Sequence, residues 1–126
     1  MDCKDKGLEF LVELDGTRFV VDDHTGLWIK FEVKKVEKTS ERPHGIRYSL
    51  TLHDGTNGRI LGFDNSHPIE YGGKNKVPAK RIYDHWHSNN SEKIYPYFYE
   101  SAEKLLEDFW VKVVEVLDIT KRIYEV

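Results

Sequence analysis

The sequence predicts an α+β fold, an antiparallel meander of about five strands crossed on one face by a single C-terminal amphipathic helix. Three observations carry this. Residues 28–36 and 46–53 alternate apolar and polar side chains, turn-forming clusters such as Asp15-Gly16 and Asp54-Gly55-Thr56-Asn57-Gly58 separate the extended runs, and apolar residues recur at three- and four-residue spacing from Leu105 to Leu117. Period two is the mark of a half-buried strand and period 3.6 that of an amphipathic helix.

Taken in order, Leu8, Phe10, Val12 and Leu14 alternate ahead of Asp15-Gly16, so a first strand is expected there, turning into a second over Arg18 to Val21. In the third, Ile29, Phe31 and Val33 share one face and Lys30, Glu32 and Lys34 the other; in the fourth, Ile46, Tyr48, Leu50 and Leu52 lie opposite Arg47, Ser49, Thr51 and His53. The turn at 54–58 then leads into a fifth strand, Arg59 to Asp64. A long basic loop is expected over residues 66–82. The helix should begin near Ser101, a good N-cap with Glu100 and Glu103 near the positive end of its dipole. Its face, including Leu106, Phe109, Trp110 and Val113, is expected to pack on Ile29, Phe31, Tyr48 and Leu50. Residues 120–126 read as a final short strand.

With 126 residues, the chain is expected to form a single domain over residues 1–126, with 1–6 as a disordered-like tail. Cys3 has no intrachain partner, which excludes a disulfide scaffold and a cysteine zinc ribbon. No basic-then-apolar leader and no run of roughly 18 apolar residues occurs, so a cytoplasmic protein without membrane partners is expected. One third charged residues, no glutamine and a single methionine lean toward a thermophilic source. The net charge of −3 hides an asymmetry: residues 28–93 carry 12 Lys/Arg against 8 Asp/Glu, the flanks 7 against 14. A basic middle attracts polyanions, although a solvated mixed-charge surface accounts for it equally.

The polar chemistry is concentrated between Leu61 and Trp110. His85 and His87 are two apart, so in extended backbone both imidazoles project to one side with roughly 7 Å between Cα atoms. Such a pair can serve as acid and base or hold a metal with Asp84 or Glu92 nearby; it can also be an exposed pair of polar loop residues. Structural zinc asks for four protein ligands, so two nitrogens are expected to hold a divalent ion only weakly, and no resident metal or cofactor is expected. Asp64 and Asn65 end an apolar strand, where a turn recruits Asp-Asn for its own hydrogen bonds. They also stand with His67 at one mouth of the long loop whose other mouth carries Asp84, His85 and His87, so both sets are expected to border one concavity. In that loop Lys74, Lys76, Lys80 and Arg81, interleaved with Tyr71, Tyr83 and Trp86, suit phosphate contact and base stacking, and equally a mobile surface loop. Tyr95, Tyr97 and Tyr99 alternate; two of them should pack against the helix, and Tyr95 is taken with the binding residues.

The order of Gly62-Phe63-Asp64-Asn65, a variable loop, Asp84-His85-x-His87, Tyr95-Pro96-Tyr97, and then Ser101 with Leu105-Leu106-Glu107-Asp108-Phe109 resembles the TumE-type toxins of prokaryotic toxin–antitoxin pairs, over roughly residues 46–114. The loop before Asp84 is longer than that pattern suggests, and the first 45 residues match nothing in it. The resemblance implies a toxin-like protein with a small antitoxin protein as partner and nucleic acid as target. On that reading RNA would be cleaved by metal-independent acid–base chemistry, with Asp64 and His85 or His87 as acid and base. Arg47, Arg59 and Arg81 would stabilise phosphate charge. A non-catalytic nucleic-acid- or protein-binding module is the alternative. A third reading is a small metal-binding cupin-like domain, since His85-x-His87 with Glu92 reproduces part of that motif, although Ala79 and Tyr99 stand where glycines are expected.

Overall fold

The computed structural model describes residues 5–56, 58–72, 79–88 and 93–124, with side chains at all of these except 71, 72, 79, 80 and 120–124. Among these residues two helices, α1 (Leu8–Glu13) and α2 (Ala102–Tyr124), flank eight strands: β1 (Arg18–Asp22), β2 (Leu27–Lys35), β3 (Ile46–His53), β4 (Arg59–Asp64), β5 (Ile69–Gly72), β6 (Ala79–Ile82), β7 (His85–His87) and β8 (Ile94–Pro96). The main sheet runs β1-β2-β3-β4-β7-β8 with every pairing antiparallel, and β5 and β6 form a separate hairpin between β4 and β7. The sheet is open, not a closed barrel, which removes the cupin-like reading.

The alternation in β2 and β3 decides which face is covered. Leu27, Ile29, Phe31 and Val33 of β2 and Ile46, Tyr48, Leu50 and Leu52 of β3 are all buried, joined by Leu61 and Phe63 of β4. Onto them α2 lays Leu105, Phe109, Val113 and Val116. Phe109 meets Phe63 edge-on at 5.8 Å and Phe31 at 6.1 Å between ring centroids. The buried stripe is narrower than expected: Trp110 is 46% and Val114 38% exposed. A single helix on a twisted sheet touches it along one line, so positions flanking that line face outward. Ser101 caps α2 through its Oγ, which accepts from the Lys104 amide at 3.1 Å.

Three expectations are overturned. Residues 8–13 are helical, not a strand. In so short a window Leu8, Leu11 and Val12 fit helical spacing as well as Leu8, Phe10 and Val12 fit a strand, and packing against α2 and β2 selects the helix, burying Leu11 and leaving Phe10 60% exposed. Gly7, at φ 81°, makes the turn into it and brings Asp5 to the start of α2, where its carboxylate accepts from the Ala102 amide at 2.6 Å and from the Tyr99 hydroxyl. The stretch 66–82 is not all loop, because it contains the β5–β6 hairpin. Residues 120–124 continue α2 instead of forming a strand. No described helix is long and apolar enough to cross a membrane.

Candidate functional site

With the helices on one face, the other face of the sheet carries its polar residues. Pairing of β4 with β7 sets Asp64 opposite His85 and Gly62 opposite His87, while Phe63 and Trp86 point to the helix side. Asp64, His85 and His87 therefore converge on the open face. Asp64 Oδ1 lies 3.4 Å from His85 Nε2, and its Oδ2 lies 3.6 Å from His87 Nε2. The two imidazoles stand edge to face at 4.9 Å between ring centroids. His85 is almost wholly buried, with Nδ1 2.7 Å from the Tyr83 carbonyl, whereas the His87 side chain is 20% exposed. A carbonyl only accepts, so Nδ1 of His85 carries the proton and Nε2 presents its lone pair to Asp64 when the ring is neutral.

Gly62 gives the site its floor. Without a side chain there, Arg59 lies across it, its Cδ within van der Waals contact of where a Cβ would stand, together with Thr51. Desolvation pulls the His87 pKa below its ordinary value, the Arg59 and His85 charges add to that, and Asp64 works against it. The shift favours the uncharged imidazole, which offers a lone pair.

Arg42, which sequence patterning did not single out, braces the surroundings. Its guanidinium donates to the Asn65 carbonyl at 3.0 and 3.2 Å and to the Ser66 carbonyl at 3.2 Å, and lies over the Tyr83 ring. One side chain thus ties the chain leaving Asp64 to the chain entering His85. An arginine in an irregular segment has no periodicity to betray such a role.

Asn65 itself is fully buried and turned to the backbone: its Oδ1 accepts from the Tyr48 amide at 2.8 Å and its Nδ2 donates to the Ile46 carbonyl at 2.9 Å. It does not face the site. Asn65→Ala should lower stability by roughly 1–3 kcal/mol, because buried backbone groups of β3 lose their partners, as chemical denaturation will read. Asp84, next to His85 in sequence, is also committed elsewhere; its Oδ2 accepts from the Tyr48 hydroxyl at 2.7 Å and stands 3.0 Å from His44 Nε2. Burial, followed by the Asp84 charge, raises the Tyr48 pKa well above its usual value.

Arg47 is exposed on the open face and lines a shallow cavity of about 440 Å³ with Arg18, Lys30, Lys34 and Ser66. Its acidic members are ion-paired with two of these cations, Asp15 with Lys34 and Glu32 with Lys30, so its surplus positive charge is that of Arg18 and Arg47; the Ser66 amide donates to Asp64 at 3.2 Å, so this groove abuts the site. Arg81 instead lines a separate cavity with Tyr83 and Asp84. Tyr95 stacks on Trp86 at 4.7 Å on the helix side, opposite the histidines. Lys74, Lys76 and Glu92 lie outside the described residues.

A family model described as "Toxin TumE" matches residues 14–117, most of the chain. No curated protein and no solved structure matches it.

Proposed function

Because the chain belongs to the TumE toxin family, we propose that it acts on RNA as the toxin of a toxin–antitoxin pair, with the open-face cluster of Asp64, His85 and His87 as its acid–base site. The observation that supports this is the placement of a partly exposed imidazole beside a buried carboxylate–imidazole pair, at the end of a basic groove. Catalytic groups gathered where charge complements a phosphate backbone suit RNA better than a neutral ligand.

His87, the more exposed of the two imidazoles, takes the proton from a ribose 2′-hydroxyl; that oxygen attacks the adjacent phosphorus and the 5′-oxygen departs, taking a proton from solvent. The ribose supplies the nucleophile, so the protein need supply none. Asp64 and His85 hold His87 in place. Arg59, lying over Gly62 beside His87, offsets the negative charge that grows on the phosphoryl oxygens. Arg18 and Arg47 hold the flanking backbone in the groove. Membership of this family implies an antitoxin partner.

The purified chain, incubated with single-stranded RNA in the presence of a chelator, is expected to produce fragments ending in 2′,3′-cyclic phosphate. Arg59→Ala should slow this by on the order of 10²–10³-fold without changing the melting temperature, since Arg59 is exposed. RNA that is bound but left intact would mean a binding module in place of an enzyme. Equal cleavage by wild type and Arg59→Ala would remove the site from this location.

A further inference from the structure

We propose that Asp64, His85 and His87 form a binding site for one divalent transition-metal ion of the zinc type, and that its occupancy arrests RNA cleavage. The binding claim stands on the geometry alone; the arrest rests on the acid–base reading above.

Two imidazole nitrogens and one carboxylate oxygen suit zinc, cobalt or nickel better than magnesium or calcium, which prefer oxygen alone. The spacing suits an ion as well. Ligands about 2.1 Å from a tetrahedral centre stand ~3.4 Å apart. Asp64 Oδ1 stands 3.4 Å from His85 Nε2, its other oxygen Oδ2 stands 3.6 Å from His87 Nε2, and one donor atom from each of the three residues lies within 4.8 Å of the other two. Histidines that by themselves would hold an ion weakly gain Asp64 as a third, anionic donor.

The orientation of His85 is the second, independent argument. Its Nδ1–H is held by the Tyr83 carbonyl at 2.7 Å, the outer contact that fixes a metal-ligating imidazole with its Nε2 lone pair inward. When the ring is neutral that lone pair faces a carboxylate oxygen, acceptor against acceptor, with His85 3% and Asp64 13% exposed. So little water reaches the pair that a positive charge between them is the stabilising arrangement, and a divalent ion supplies it. Arg59 opposes a second cation nearby, but it is exposed and its long side chain can swing outward. Three protein ligands leave a position open, the pattern of an exchangeable site. Once bound, the ion takes the His87 lone pair, and the 2′-hydroxyl proton has no acceptor.

The test is titration of the chelator-treated full chain with Co²⁺, followed by the visible absorption of nitrogen- and oxygen-ligated cobalt. Wild type should develop that absorption to one equivalent, zinc should displace it, and His87→Ala and Asp64→Asn should each weaken binding at least ~10–100-fold while retaining the circular dichroism of the folded chain. Zinc should also raise the melting temperature of wild type but not of either variant. No cobalt absorption, or the same absorption in wild type and both variants, would overturn the site. Cleavage under chelator that stops at one equivalent of metal supports the arrest. Cleavage that continues at full occupancy overturns the arrest and leaves the site standing. Cleavage that appears only with metal overturns both the arrest and the acid–base reading, again with the site intact. No cleavage under any condition defeats the function proposed above and the arrest together, and the cobalt absorption still decides the site.

Discussion

Phe109→Ala is expected to lower the unfolding free energy by about 3–5 kcal/mol. Phe109 is 1% exposed and its ring meets both Phe31 of β2 and Phe63 of β4, so its removal opens a void between α2 and the centre of the sheet. Neither strand can close that gap without breaking its ladder, and α2 cannot sink without lifting Leu105 or Val113 from their own contacts. Urea denaturation should show a lower midpoint with an unchanged slope. The site side of the sheet is affected too, because Phe63 is flanked in β4 by Gly62 and Asp64. A loss below about 1 kcal/mol would mean that α2 does not pack on the sheet through Phe109.

His87→Ala, assayed under chelator so that bound metal plays no part, is expected to reduce RNA cleavage by roughly 10²–10⁴-fold with little change in stability. The ring is partly exposed and, among the described residues, its one ion-pair contact is the 3.6 Å approach to Asp64. His85→Ala should behave differently. That ring is almost wholly buried and held to the Tyr83 carbonyl, so its loss should lower cleavage and folding stability together. Sequence treats the two histidines as equivalent surface residues; burial separates them. A His87→Ala chain that cleaves at the wild-type rate would remove His87 from the base role.

Much of the fold is local in origin and can be read without coordinates. The alternation of Ile29, Phe31 and Val33, and of Ile46, Tyr48, Leu50 and Leu52, selects strands with one buried face because successive side chains must point to opposite sides. The α2 stripe of Leu105, Phe109 and Val113 repeats over enough turns that no other period fits. Segment 8–13 has no such length, and its helix exists because α2 and β2 receive Leu11. The resemblance to the toxin family likewise rests on order along the chain, and it spans the residues that sequence can align.

Sequence sets two aspartates beside the histidines, Asp64 as acid–base partner and Asp84 as an oxygen ligand, and three dimensions keep only Asp64 with them. Asp84 adjoins His85 in sequence, yet it pairs with Tyr48 and His44 on the helix side. Asp64 is its cross-strand neighbour, and antiparallel register places it against His85 on the open face. Adjacent residues in an extended chain diverge to opposite faces, while directly paired residues of neighbouring strands share one. Residue types and periodicity thus determined the sheet, the helix and the inventory of polar groups. Register, a long-range pairing reached across the excursion between β4 and β7, decided which of those groups meet.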